Sequence, residues 1–253
     1  MTQPNDNRQS LIDSLLDPSG PELGDDFLAL RGDRNRRLVE RLRGEEVAKH
    51  AAEAAPRGQS ERPCIGILAI QGDYAAHALA LSEAGAEPCE IRKPEELATI
   101  DALVLPGGES TTMLKFLEKK HFFDALRDFG ARRPVFGTCA GTILLAREVR
   151  NPPQRSLGLL DLVVERNAYG RQIDSSIETA ETALAGGPLE MVFIRAPRIV
   201  EIGSGVEALA FRGGYPTLVR QGNAMAATFH PELSRDRRLH SLFVRMVTGR
   251  DPQ

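Results

Sequence analysis

The sequence contains no tryptophan, no long apolar run and no excess of basic residues, and these absences exclude several classes of protein. The formal net charge is −3, whereas a nucleic-acid scaffold needs a basic face to neutralise phosphates, so we expect no nucleic-acid partner. No segment approaches the roughly 20 apolar residues that span a bilayer, and the first residues lack the apolar run of a signal peptide. We therefore expect neither membrane insertion nor export, and small substrates or protein partners are favoured.

Cysteine is also scarce, with Cys64, Cys89 and Cys139 as the full set. Three cysteines cannot all pair within one chain, and none of them forms the C-x-x-C spacing that is typical of zinc or redox sites. The five histidines show no metal-ligand spacing either, so we predict no metal site. A reducing cytoplasm fits this cysteine usage best.

The composition changes after the first quarter of the chain. Segments rich in Pro, Gly, Ser and Asp lie at 4–21 and 56–60, and between them both charge signs mix around a few leucines at helical spacing. Residues 1–62 are therefore interpreted as a disordered or partly helical extension, with a docking helix for a partner as the alternative. We place one domain at 63–249 and a short tail at 250–253.

Beyond the extension, short apolar runs alternate with helical segments, which is typical of an α/β domain. The apolar runs of the first half are 65–70, 102–105 and 135–136, and amphipathic segments follow at 74–84 and 111–116. Further strand-like segments lie at 162–165, 191–194, 208–211 and 224–229, with a closing helix over 234–247. We predict a mainly parallel central sheet flanked by helices, with the ligand beyond the carboxyl ends of the strands.

Cys139 lies in a G-x-C-x-G string between an apolar strand and a helical run at 142–149. This arrangement indicates a nucleophile elbow, in which glycines flank a sharp strand-to-helix turn. The amide groups and the positive dipole end of the following helix would favour a thiolate. The alternative is a buried cysteine in a glycine-rich turn, and the string alone does not decide between them.

His230 and Glu232 follow a late apolar strand, separated by Pro231. If this segment is extended, its two-residue period places the imidazole and the carboxylate on the same side. Glu232 could then orient His230 while His230 serves the thiol of Cys139 as its base. A structural role is the commoner one for a histidine, but here nucleophile, base and orienting carboxylate are all present.

A Pro-Gly-Gly-Glu-Ser string at 106–110 ends another predicted strand. A glycine pair lets a backbone N–H approach a substrate carbonyl closely, so Gly108 is a candidate for an oxyanion hole. Its partner would be the N–H of Ala140, the residue after the nucleophile. The alternative is an ordinary β-turn.

Together the three motifs resemble the class I, triad type of glutamine amidotransferase, which has a flavodoxin-like fold. Within it they closely resemble the glutaminase subunits of the pyridoxal 5′-phosphate synthase of the deoxyxylulose-independent vitamin B6 pathway. The matching strings lie in family order at 69–72 (AIQG), 105–112 (LPGGESTT), 136–141 (FGTCAG), 164–167 (VERN), 169–172 (YGRQ), 193–197 (FIRAP) and 229–233 (FHPEL). The extension is not covered by this resemblance.

The resemblance implies a role for each matching residue. Cys139 would attack the side-chain amide of L-glutamine, with His230 as general base and acid and Glu232 orienting it. Gln71 would lie at the junction with the synthase partner and act in activation. The residues implied to bind L-glutamine are Gly108, Glu109, Ser110, Arg166, Ile194 and Arg195.

The resemblance also implies a partner and no cofactor. The ammonia would pass within a hetero-oligomer to the synthase subunit, where it joins a pentose phosphate and a triose phosphate to form pyridoxal 5′-phosphate. Three other classes stay open at this point: a free-standing glutaminase, a DJ-1-like thiol hydrolase or chaperone, and a regulatory subunit with a decayed site. An intact set of triad residues argues against the last of these.

Overall fold

The computed structural model describes residues 62–119, 122–166 and 175–249. Except for Arg62, the predicted extension lies outside the described residues, and so does the tail at 250–253. The family-like string at 169–172 also lies outside them. The division of the chain into extension, domain and tail therefore stays a prediction.

A seven-stranded sheet forms the centre of the domain. Its strands are β1 (Cys64–Leu68), β2 (Glu87–Ile91), β3 (Ala102–Leu105), β4 (Val135–Thr138), β10 (Glu207–Arg212), β11 (Tyr215–Gln221) and β12 (Ala224–Ala227). Their order across the sheet is β10, β11, β12, β4, β3, β1, β2. The strands from β12 to β2 run parallel, and β11 and β10 extend one edge through antiparallel pairs. The mainly parallel central sheet predicted from the sequence is confirmed.

Helices cover both faces of this sheet. They are α1 (Tyr74–Glu83), α2 (Ser110–Lys119), α3 (Phe122–Gly130), α4 (Ala140–Leu145) and α5 (Arg238–Thr248). Successive side chains of a strand point to opposite faces, and β3 shows the result. Leu103 and Leu105 belong to the core that contains residues of α2, α3 and α4, whereas Ala102 and Val104 belong to the core with α1 and α5. Burial on both faces explains why the central strands are apolar throughout.

Two smaller sheets lie beside the main one. One joins β5 (Ala146–Arg150), β6 (Leu160–Glu165) and β9 (Arg198–Ile202), and the other joins β7 (Ser176–Ala180) and β8 (Leu189–Phe193). The strand β8 reaches the centre of the domain, because the carbonyl oxygen of Val192 accepts a hydrogen bond from the backbone N–H of His230 at 2.8 Å.

The helical run predicted at 142–149 is wrong in its second half. Helix α4 ends at Leu145, and Ala146 already has an extended ψ of 152°. The chain then pairs with β6 in a parallel ladder that shifts register between Ala146 and Glu148. Because of this bulge, the buried residues Ala146 and Val149 are three positions apart, which imitates the spacing of a helical stripe.

The closing helix begins later than predicted. Residues Pro231–Leu233 form a short 3₁₀ turn, and α5 starts at Arg238, where the Asp236 carboxylate accepts a hydrogen bond from the Arg238 N–H at 2.9 Å. The helix ends at Thr248 and is capped by Gly249, which has the left-handed φ of 64° that glycine tolerates best. Among the described residues, no helix combines the length and the apolar character that a membrane crossing requires.

Candidate active site

Cys139 lies in the sharp turn between β4 and α4, as the nucleophile-elbow interpretation requires. Its φ of 48° is in the left-handed region, a strained conformation for a residue with a side chain. The flanking glycines are needed for space: a Cβ on Gly137 would lie 2.6 Å from the carbonyl carbon of Gly141. A Cβ on Gly141 would collide with the carbonyl oxygen of Leu105. Only glycine at both positions allows this turn against β3.

His230 follows β12, the strand that pairs with the cysteine-bearing β4. Its side chain is buried, and Nδ1 lies 2.7 Å from Glu232 Oε1. The two residues do not share an extended segment as predicted, because Pro231–Leu233 form the 3₁₀ turn. The fixed φ of proline suits the first position of such a turn, and the turn brings the carboxylate back onto the imidazole. The pairing of His230 with Glu232 was predicted, but the backbone that produces it was not.

Two effects compete in the electrostatics of His230. Burial is the largest effect and disfavours the charged ring. The negative charges of Glu232 and Cys139, and the hydrogen bonds that the ring makes to both side chains, outweigh burial and raise the pKa of His230 well above its ordinary value. The raised pKa therefore favours the charged, doubly protonated ring. A charged His230 beside Cys139 can stabilise negative charge on the sulfur and later give its proton to a leaving group.

The glycine turn after β3 packs directly against this pair. A Cβ on Gly107 would lie 3.1 Å from His230 Nδ1 and 3.3 Å from Cys139 Cβ. Gly108, with a φ of 150°, is covered by the side chain of Gln71, whose Nε2 donates a hydrogen bond to the Glu109 carbonyl oxygen at 3.3 Å. The turn is therefore beside the nucleophile, and Gln71 contacts it. That the N–H groups of Gly108 and Ala140 form an oxyanion hole stays a prediction.

Glu109 and Arg166 come together at the start of α2. The Glu109 carboxylate accepts hydrogen bonds from the N–H groups of Thr111 and Thr112 at 3.0 and 2.6 Å. Its partial burial is outweighed by hydrogen bonds from the Thr112 side chain, from these N–H groups and from the Thr111 side chain, which lower the pKa of Glu109. Arg166 Nη2 donates to Thr111 Oγ1 at 2.7 Å and lies 3.4 Å from Glu109 Oε1. A carboxylate and a guanidinium thus lie side by side next to the glycine turn.

The other predicted substrate contacts lie in two places. Ser110 is buried, and its hydroxyl donates to Gln154 Oε1 at 3.0 Å, so it also anchors the glycine turn. The carbonyl oxygen of Ile194 lies 3.9 Å from Cys139 Sγ. Arg195 is exposed and has a left-handed φ of 47°, which marks the turn after β8 as strained.

Comparison with known proteins identifies the family. The SNO glutamine amidotransferase family matches residues 67–249. A pyridoxal 5′-phosphate synthase subunit PdxT from Koribacter versatilis is 57% identical over 183 residues, covering 72% of this chain and 95% of the relative. This chain belongs to the SNO glutamine amidotransferase family. The subunit of the same name from Solibacter usitatus is 54% identical over 186 residues, with 71% of this chain and 97% of the relative covered.

Solved structures agree with this family. A crystal structure of a glutamine amidotransferase is 45% identical with a TM-score of 0.68, and the match covers 73% of this chain and 98% of the solved one. The structure of PurLQS from Thermotoga maritima is 16% identical with a TM-score of 0.58; the match covers 74% of this chain and 98% of the solved one, and it shows the shared fold alone. Membership of the amidotransferase family confirms the predicted resemblance and excludes the DJ-1-like class.

Three buried residues of this amidotransferase that no motif indicated lie around the triad, two of them in contact with its members. Asp73 Oδ2 lies 3.7 Å from His230 Nδ1, His77 Nε2 lies 3.3 Å from Glu232 Oε2, and His240 contacts His77. Asp73 and His77 are four positions apart at the start of α1, so they share a helix face. Their four-residue spacing after the first predicted strand was the sequence feature that could have indicated a role for them beside the triad.

The donor atoms of Asp73, His230 and Glu232 lie within 4.8 Å of one another and could hold a metal ion. The sequence spacing could not show this group, because Asp73 lies far from the other two along the chain. A cation there would compete for His230 Nδ1, which already pairs with Glu232 at 2.7 Å. That the protein uses no metal stays a prediction.

Proposed function

We propose that this amidotransferase hydrolyses L-glutamine to L-glutamate and ammonia, and that the ammonia serves the synthesis of pyridoxal 5′-phosphate. The observation that carries the proposal is the buried arrangement of Cys139, His230 and Glu232 at the carboxyl end of the sheet. It occurs in a chain that is 57% identical to a relative named as a pyridoxal 5′-phosphate synthase subunit.

In the proposed mechanism the Cys139 sulfur attacks the carboxamide carbon of glutamine. The oxygen that gains negative charge accepts hydrogen bonds from the N–H groups of Gly108 and Ala140. His230 then gives its proton to the leaving nitrogen, the C–N bond breaks and ammonia departs from a thioester. A water molecule, deprotonated by His230, attacks the thioester carbon, and the C–S bond breaks to release glutamate and regenerate Cys139.

Glu109 and Arg166 are proposed to recognise the α-ammonium and α-carboxylate of the substrate. Their side chains lie 3.4 Å apart and are only partly exposed, so each can exchange part of its present contact for the substrate group of opposite charge. Gly108, Ser110, Ile194 and Arg195 are assigned to the surroundings of the substrate, the last two on the strained turn beside the sulfur.

The proposed partner is a synthase subunit in a hetero-oligomer that consumes the ammonia, and Gln71 is assigned to its interface. The side chain of Gln71 covers Gly108 and bonds to the Glu109 carbonyl oxygen. A partner that moves this side chain would therefore change the glycine turn beside Cys139. A cytoplasmic location is part of the proposal, because three cysteines cannot all pair within one chain.

The test is glutamate release from L-glutamine by the full chain, alone and with a purified pyridoxal 5′-phosphate synthase subunit. We expect activity that rises with the synthase and falls by on the order of 10⁶ in Cys139→Ala. Cys89→Ala is the matched control and keeps full activity, because Cys89 lies in β2 towards the opposite edge of the sheet from β12. No glutamate under either condition would contradict the proposal, and full activity without the synthase would indicate a free-standing glutaminase.

A further inference from the structure

His77 is a fully buried histidine of α1 that the proposed mechanism does not use. None of its surface is exposed, and both ring nitrogens have polar neighbours. Nδ1 lies 3.1 Å from His240 Nε2, while Nε2 lies 3.1 Å from Thr138 Oγ1 and 3.3 Å from Glu232 Oε2. Such a placement needs a reason, because a buried imidazole costs free energy unless its nitrogens are satisfied.

The two oxygens of Glu232 face two different histidines. Oε1 lies 2.7 Å from His230 Nδ1, and Oε2 lies 3.3 Å from His77 Nε2. The second contact is not aligned as an ideal hydrogen bond, and Oε2 has no better-aligned partner within the described part of the chain. His77 therefore supplies the polar contact that Oε2 has there.

The donors and acceptors among His240, His77 and Glu232 can be assigned consistently from one residue to the next. Burial lowers the pKa of His77 to about 3, although Glu232 opposes this effect, and burial with help from Arg237 lowers the pKa of His240 to about 3. Both rings are neutral, so each carries one N–H. If His77 carries its proton on Nε2, that proton faces Thr138 Oγ1, which can accept it, and the neighbouring Oε2 of Glu232. His77 Nδ1 can then accept from His240 Nε2–H.

The opposite tautomers would be unfavourable at both ends of this series of contacts. A lone pair on His77 Nε2 could accept from the Thr138 hydroxyl, but it would also lie 3.3 Å from the carboxylate oxygen Oε2 of Glu232 and repel it. His240 would then carry its proton on Nδ1, which has no partner within the described part of the chain. An unpaired buried N–H costs more than an unpaired lone pair, so the first assignment is favoured.

A second carboxylate makes the placement of Glu232 matter. Asp73 Oδ2 lies 3.7 Å from His230 Nδ1, so two carboxylates are available to one N–H. The contact with His77 restrains Glu232 in the position from which it bonds to His230. Without that restraint the imidazole could turn towards Asp73 and away from the alignment that Cys139 needs.

We propose that His77 is a positioning residue that holds the second oxygen of Glu232 and thereby fixes the orientation of His230, with His240 fixing the His77 ring in turn. The kinetic part of this inference rests on the proposed glutaminase function. The structural part does not, because it concerns protons that can be observed in the resting protein.

The first test uses the unaltered full chain and needs no turnover. Nitrogen-15 NMR of the imidazole rings, assigned by loss of signals in His77→Gln and His230→Asn, reports which nitrogen of His77 carries the proton. We expect a neutral ring protonated on Nε2. A ring protonated on Nδ1 would overturn the proposal even if the glutaminase assay succeeds, whereas a missing glutaminase activity would leave this result intact.

The second test compares two amide substitutions that differ in reach. In His77→Gln the side-chain nitrogen can occupy the place of Nε2 and still reach Glu232. In His77→Asn the amide can occupy only the place of Nδ1, so it keeps the contact with His240 and loses the one with Glu232. We expect the Gln variant to keep kcat within about threefold and the Asn variant to lose about 10–100-fold in kcat at nearly constant KM.

A double substitution separates positioning from general stability. If His77 acts through Glu232, adding His77→Asn to Glu232→Ala causes no further loss of kcat. Equal losses in the Gln and Asn variants, or losses that multiply in the double variant, would refute the proposal. Thermal unfolding of each variant checks that the fold is kept, and if neither single variant folds, the tautomer of the unaltered protein decides.

Discussion

Replacing Gly107 by alanine is the smallest change that should disturb the triad without substituting any of its members. The residue has no left-handed φ, so alanine adds no backbone strain. Its new methyl group would lie closer than 3.0 Å to the Cε1 atom of His230 and 3.3 Å from Cys139 Cβ. The perturbation is therefore steric and is aimed at the base and the nucleophile together.

The size of the effect follows from these contacts. Carbon atoms rest about 3.5–4.0 Å apart, so the imidazole of His230 must move by about 1 Å. The ring is buried and held by Glu232, so it cannot move without giving up the 2.7 Å contact. A misplacement of about 1 Å between reacting groups can cost about 10²-fold, and we expect kcat of Gly107→Ala to fall by about that factor.

The assay is glutamate release at saturating L-glutamine in the presence of the synthase subunit. Gly205→Ala is the matched control, because its added methyl group would meet only the flexible end of Gln221 at 3.3 Å and its φ is not left-handed. The control keeps its activity, and both variants keep a thermal midpoint close to that of the unaltered chain. A Gly107→Ala enzyme with kcat within about threefold of the unaltered enzyme would refute the placement of this turn against His230.

Three further predictions concern the substrate, the buried histidines and metal ions. Arg166→Lys should raise KM for L-glutamine about tenfold or more with a smaller change in kcat, since lysine lacks the planar fork of arginine. The control is Arg155→Lys, which changes an exposed arginine. A KM of Arg166→Lys equal to that of the control would exclude Arg166 from substrate binding. Because the pKa values of His77 and His240 are lowered to about 3, both rings stabilise the folded state above about pH 6.5, and this contribution is lost as the pH falls towards 3. The thermal midpoint of His240→Gln should therefore fall less steeply between pH 7 and 4 than that of the unaltered chain. An equally steep fall would contradict this prediction. Activity should be unchanged after dialysis against EDTA, and a loss restored by a divalent cation would show that the cluster around the triad holds a metal.

The features that could be predicted from the sequence are those whose residues lie close together along the chain. The cysteine elbow needs small residues at fixed offsets, so Gly137, Cys139 and Gly141 indicate it within five positions. His230 and Glu232 are separated by a single proline, and the strand before them is apolar throughout. The parallel sheet was predictable from local sequence as well, because strands buried on both faces have few polar residues.

What the sequence did not reveal depends on contacts between distant segments or on local irregularity. His77 and Asp73 gain their meaning only when α1 packs beside the turn after β12. The bulge at Ala146 gives a strand the spacing of a helix, and apolar positions alone do not distinguish the two. The 3₁₀ turn at Pro231 produced the expected pairing by a different backbone path, because proline suits a tight turn as well as an extended segment.

The order of the central strands has a consequence for how the enzyme could change. The nucleophile, the glycine turn and the base follow β4, β3 and β12, and β4 is the direct neighbour of the other two in the sheet. Their mutual distances are set by backbone ladders with a repeat of about 4.8 Å, and a register slip of one residue would displace one part by about 3.3 Å. Insertions at the outer strands β2 and β10 leave those ladders untouched. New surfaces for other ammonia-consuming partners could therefore arise at the edges of the sheet while the glutaminase centre stays mechanically the same.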